Sequence, residues 1–248
     1  MTLVLLVAAA VGVGVLIGAV GIGGILLSPM LAFVGGWELH LAIGTSVWSF
    51  VFTGVAATAL YARHGSIAWR VVRWLVMGVV PTAVLGALTN AALSSTALSI
   101  VLALACVTTG LVALARPPRV ERPLSALGAP VLVLIGGLVG FGSALSGAGG
   151  AAVLMPILLA LRAPTIVAIG ASQAIQVPVA GFATLGYAPA ARVDFAVGTV
   201  LGLAEVSGVV LGTSVAHAAS PARLRRLTAL AVIGAGGVIL ARLALTGG

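Results

Sequence analysis

The sequence predicts an all-α polytopic membrane protein made of two repeats, each a glycine-broken segment followed by three transmembrane helices, with about 8–10 membrane segments in total. Three observations predict it. The chain is 61% hydrophobic and 6% charged, with a mean hydropathy of +1.30, which lies far outside the usage of soluble domains. A glycine motif occurs twice: Gly21, Gly23 and Gly24 reappear as Gly147, Gly149 and Gly150, each at an offset of 126. The same offset pairs Gly14 with Gly140 and Gly44 with Gly170, and since half of 248 is 124, the repeat accounts for the whole chain.

Composition also excludes several classes. The uncharged runs Leu3 to Gly35, Trp74 to Ala115, Leu124 to Leu161 and Thr165 to Ala191 leave no space for a soluble domain. Arginine supplies all of the positive charge and sits in short loops between apolar spans, so the net charge of +8 orients the protein in a bilayer and does not mark a nucleic-acid surface. Cys106, the single cysteine, lies in an apolar run and reads as a small hydrophobe. Met1 and Thr2 lead directly into apolar sequence without a basic leader, so the first segment is expected to stay in the mature protein.

The elements follow in order. Leu3 to Gly35 would make a helix about 50 Å long against a hydrocarbon core of about 30 Å, too long for one upright span and too short for two. The expectation is a helix to about Ala19, a break at the glycines, and a short helix starting at Ser28 and Pro29, a capping serine before a first-turn proline. Leu41 to Ala62 is a span, Arg63 to Arg73 a basic loop, and the run to Ala115 holds two spans joined near Asn90, Ser94 and Ser95. Residues 1–116 form the first repeat, the Pro/Arg segment 117–123 a linker, and 124–248 the second repeat. The second repeat replays the first, with a broken stretch to Leu161, spans from Thr165 and Phe195, a turn at His217 to Arg226, and a last span to Leu245. Ser46 matches Ser172, Tyr61 matches Tyr187 and Gly86 matches Gly212 at the common offset.

Arginine placement bears on orientation. If each broken stretch returns to its entry side, the halves are inverted and ten arginines share one side, leaving Arg192 and Arg242 opposite. If each stretch crosses, the split falls to eight against four, so the positive-inside rule favours inverted repeats with the N-terminus outside.

Irregular backbone at bilayer depth survives only inside protein or beside a watery cavity, and paired interrupted segments are the best sequence pointer to a transporter site. The candidate substrate-binding residues are therefore Gly21, Gly23, Gly24 and Ser46 in one half and Gly147, Gly149, Gly150, Ser172, Gln173 and Gln176 in the other, the glutamines offering amide donors. The competing explanation for the glycines is close helix packing through small residues. Glu205 sits deep in its span, where an acid costs roughly 2.5–3.5 kcal/mol on insertion scales, and is the candidate for proton coupling. No catalytic constellation, cofactor or metal site is expected, since His40, His64 and His217 lie in or beside loops without a second ligand at metal spacing.

The duplicated motifs, Gly21-Ile22-Gly23-Gly24-Ile25 with Pro29 and Gly147-Ala148-Gly149-Gly150-Ala151 with Pro156, sit in four-segment halves around a basic linker. In this the chain resembles the TauE/SafE family of sulfite and sulfonate exporters. Both copies depart from that family's Gly-x-Gly-Gly-Gly pattern, at Ile25 and Ala151, and the first copy is one residue shorter to its proline. The resemblance implies a bacterial inner-membrane, multi-pass permease for small, often sulfur-containing anions. Its expected partners are a small anionic substrate and the lipid bilayer, not nucleic acid, and monomer and homo-oligomer both fit. Two other classes compete. A non-transporting scaffold would not need paired broken helices. An intramembrane serine protease built on Ser146 would need glycine where Ala144 stands.

Overall fold

Small residues decide where these helices touch, because a helix in lipid gains little from hiding apolar side chains that lipid solvates equally well. The computed structural model describes residues 2–114, 124, 127–218 and 221–246. Helix α1 (Thr2–Val20) ends at the first glycine break, and α2 (Gly24–Val34) follows as a 3-10 turn, one α turn and a π segment. Helices α3 (Leu39–Arg63), α4 (Trp69–Ala92) and α5 (Ser95–Leu114) complete the first half. The second half comprises α6 (Ala129–Ser146), α7 (Gly150–Ala160), α8 (Thr165–Tyr187), α9 (Phe195–Ala218) and α10 (Pro221–Thr246). The linker expected at 117–123 lies outside the described residues.

Among the described residues six helices, α3 to α6, α8 and α9, are long and apolar enough to cross a membrane, while α1, α2 and α10 carry shorter apolar stretches. Leu134, Leu138, Leu203 and Leu211 point outward and Ser46, Thr53, Gln173 and Glu205 are buried, the reverse of a water-soluble surface.

Local chemistry sets the boundaries. Glu38 has extended backbone and caps α3, its carboxylate accepting from the Leu41 N–H (3.0 Å). The His40 ring stands with Nδ1 2.5 Å from that carboxylate and Nε2 3.1 Å from the carbonyl of Leu93. Burial acts to raise the Glu38 pKa, but hydrogen bonds from His40 and from backbone N–H groups outweigh it and hold the carboxyl below its ordinary value. Asp194 accepts from the Val197 N–H (2.9 Å) at the start of α9. Ser28 does not start a helix as expected. The helical turns begin at Gly24, and the Ser28 hydroxyl instead donates to the carbonyl of Gly147 (3.2 Å), because the second break lies against it.

The packing is written twice, and most of it joins one half to the other. A methyl group added at Gly14 would stand 2.1 Å from the carbonyl oxygen of Glu205, and one at Gly140 would stand 2.8 Å from that of Val79, its counterpart. Gly44 packs as closely on the backbone of Arg192 as Gly170 does on Ser66, and Gly212 on Val15 as Gly86 does on Phe141. All of these pairs are related by the 126-residue offset. Gly110 in α5 and Gly236 in α10 likewise each press on the other's helix.

Contact registers give the directions. Gly14 and Gly18 meet Glu205 and Val209, so α1 runs parallel to α9, and Gly44, Trp48 and Ser49 meet Arg192, Gly198 and Gly202, so α3 does too. Two consecutive long helices that point the same way require the chain between them to come back. It does so in α2: Gly23 lies against Val13 and Leu16, and Leu26 and Met30 pack on the cluster formed by Val13, Ile17, Ala57 and Val209. In the second half Val153 reaches back to Gly142 in the same manner. Helices α3 and α8 occupy matching positions in the halves and pass in opposite directions, Gly54 meeting Val177 while Thr58 donates to the carbonyl of Gln173 (3.2 Å).

Candidate functional site

Left-handed backbone is what ends α1 and α6. Gly21 and Gly147, equivalent in the repeat, have φ of +79° and +67°, and Gly149 has φ of +80°, values that a Cβ makes costly. Each helix therefore ends with terminal carbonyls at depth, and side chains from elsewhere in the fold bond to some of them, the Ile17 carbonyl also accepting from the Gly21 N–H (2.9 Å). Tyr61 donates to the carbonyl of Gly18 (3.2 Å) and Gln173 Nε2 to that of Ile17 (3.0 Å). On α6, Tyr187 donates to the carbonyl of Ala144, Asn90 Nδ2 to that of Leu145 (2.8 Å) and Ser28 to that of Gly147. At the start of α7 the Ala151 N–H donates to Gln176 Oε1 (3.0 Å).

The two breaks meet around one aromatic ring. A methyl group added at Gly24 would lie 3.1 Å from Phe50 ring carbons and 3.7 Å from the carbonyl oxygen of Ala148; one added at Gly149 would lie 3.3 Å from the other edge of the same ring and from Gln176 Oε1. Phe50 is the twelfth residue of the 25-residue α3 and Gln176 the twelfth of the 23-residue α8, so the meeting point falls halfway along both helices. Gly24, Gly149 and Gln176 are thus gathered there, while Gln173 Nε2 lies 4.0 Å from the Cβ position of Gly21 and Gly147 packs on Ile43 and Ser28. Gly23 serves the turn by packing on α1, and Gly150 packs on Val179.

The other candidate residues make different contacts. The Ser46 hydroxyl donates to Ala42 of its own helix (2.7 Å), while that of its counterpart Ser172 is buried without a hydrogen-bond partner among the described residues. Glu205 is fully buried on the seam of α9 with α1, and among the described residues neither carboxyl oxygen has a hydrogen-bond partner. The Ser49 hydroxyl donates to the carbonyl of Ser46 on its own helix (2.8 Å). Ser146 donates to Gly142 (2.7 Å), so its proton is held by backbone and not by a base.

Sequence reasoning missed Phe50, Ser28 and Asn90. The offset was a usable signal for Phe50, which stands opposite Gln176 in the repeat, and it had already paired the two tyrosines.

Comparison with known proteins agrees with this architecture. The family model described as "Sulfite exporter TauE/SafE" matches residues 6–239. Two relatives, each named "Probable membrane transporter protein", come from Xylella fastidiosa strains 9a5c and Temecula1 / ATCC 700964. They are 32% and 31% identical over 235 residues, covering 89% of this chain and 88% of each relative. No solved structure matches the chain. With a family match over nearly its whole length on a fold of paired broken helices, the chain belongs to the TauE/SafE sulfite exporter family of membrane transporters.

Proposed function

We propose that this transporter carries a small anion, sulfur-containing such as sulfite, a sulfonate or a related organic anion, and holds it between the two glycine breaks. The observation that carries the reading is the convergence of Gly24, Gly149 and Gln176 on one point halfway along α3 and α8. Backbone without side chains lets amides approach an anion closely, and α7 starts there with its dipole end toward the same point. Gln173 and Gln176 add amide groups from α8.

In the same reading the halves are inverted repeats in a bacterial inner membrane, with the arginine-rich loops on the cytoplasmic side. The opposed directions of α3 and α8 and the returning course of α2 support that arrangement. Glu205, an unpartnered acid on a seam between the halves, is the group assigned to carry a coupling proton. Reconstitution in liposomes tests the proposal: labelled sulfite or methanesulfonate should cross with purified protein and not without it. The same anions should raise the melting temperature in detergent, since a ligand of the folded state stabilises it. Protein-dependent movement of none of them would remove the proposal.

A further inference from the structure

Phe50 and Gln176 occupy equivalent positions, 126 residues apart, at a place where the two breaks touch. The scaffold there is symmetric and the side chains are not. Gln176 spends its Oε1 on the Ala151 N–H, while its Nε2 donates no hydrogen bond among the described residues even though the side chain is buried. Phe50 is fully buried, and its ring fills the gap between Gly24 and Gly149 to van der Waals contact on both edges. Any particle passing between the breaks has to take the space that this ring holds.

The helix that carries the ring is built to yield. Ser46, Ser49 and Thr53 each donate to carbonyls of their own helix, Thr53 to that of Phe50 itself (3.2 Å), and such back-bonding loosens and bends a helix. Opposite, Pro178 stands inside α8 two residues beyond Gln176 and removes one helical hydrogen bond from that stretch. Deformable backbone thus lies on both sides of the contact.

We propose that Phe50 is the gate of this site and sets the size of the anion that passes, with the free amide of Gln176 orienting the anionic group beside it. The inference rests on the transport reading above. Passage requires the ring to leave the gap between Gly24 and Gly149, and the width then left is what discriminates between anions.

Liposomes holding wild type, Phe50→Ala or Phe50→Leu are assayed with linear alkanesulfonates from methanesulfonate to hexanesulfonate. Wild type should move the shortest best and lose about tenfold or more per one or two added methylenes, in the range that pocket discrimination reaches. Phe50→Ala should move the longer members about tenfold better relative to methanesulfonate, and Phe50→Leu should fall between. Identical length profiles in wild type and either variant would overturn the gate while leaving transport intact. If neither variant accumulates, wild type still decides, because equal rates for methanesulfonate and hexanesulfonate are incompatible with a ring-limited opening. Movement of no member by any protein would overturn the transport reading, and the gate with it.

Discussion

Tyr61 and Tyr187 make the same hydrogen bond in the two halves: one donates to the carbonyl of Gly18 and the other to that of Ala144, donors and acceptors each 126 residues apart. Each ties the last turn before a glycine break to the long helix that follows it. Tyr61→Phe and Tyr187→Phe should each cost about 1 kcal/mol, the size of an interhelical hydrogen bond in a membrane. Unfolding in mixed micelles measures it, and a loss confined to one of the two variants would show that the bonds are not equivalent.

Glycines at the breaks and glycines on the helix seams should behave differently. Gly149→Ala places a Cβ on left-handed backbone, a strain of about 1–2 kcal/mol, and 3.3 Å from the Phe50 ring. It is expected to accumulate in the membrane and lose about tenfold or more in transport, the larger Gly149→Leu losing all of it. Gly14→Ala would meet the Glu205 carbonyl oxygen at 2.1 Å, so it should fail at accumulation instead. Gly23 belongs with the seam, since its added carbon would stand 2.5 Å from the Val13 carbonyl oxygen.

Sidedness follows from the opposed directions of α3 and α8, which send Gly65 and Ala190 to opposite faces. With Cys106 replaced, a cysteine at Ala190 should react with an impermeant thiol reagent in intact cells, and one at Gly65 should be shielded. Equal labelling of both would contradict the inverted arrangement.

Glu205→Gln keeps the shape of the α1–α9 seam and removes the ionisable group. If that carboxyl carries the coupling proton, the variant should lose transport driven by a pH gradient while substrate exchange across the membrane persists. Unchanged gradient-driven transport would assign the glutamate to packing.

Glu38 gives a pH dependence outside the membrane spans. Its carboxyl is held below its ordinary value of 4.5, so its contribution to stability is complete above that value and is lost as pH falls through the lowered one. The wild type should therefore melt higher than Glu38→Gln at neutral pH, with the difference vanishing once the pH has fallen through the lowered value. A difference that persists at the acid end would place the effect in packing.

The sequence made the duplication, the breaks and the buried acid legible, because glycine spacing and a lone carboxylate in an apolar run carry physical meaning without coordinates. Phe50 was not legible in that way. A phenylalanine in a span costs nothing in lipid and so marks nothing, until the fold brings Gly24 and Gly149 to its two edges. Ser28 was misread for a related reason: beside Pro29 it looks like a helix cap, and only the second break supplies the carbonyl that takes its proton. Ser46 and Ser172 are equivalent in sequence, yet the first hydroxyl bonds to its own helix and the second finds no partner among the described residues, a difference of neighbours that spacing does not encode.

The seam between Gly14 and Glu205 also fixes an order of events during synthesis. The surface on which α1 packs is made 191 residues after it, which at about 5–20 residues per second means a wait of roughly 10–40 s. Throughout that interval the nascent first half sits in the bilayer with its α1 groove open and the Ile17 carbonyl still lacking Gln173. Biogenesis of this protein is therefore a late closure, in which the last helices to emerge lock the first one in place, and an insertion factor that shelters α1 until then would act on the step where the chain is most exposed to misassembly.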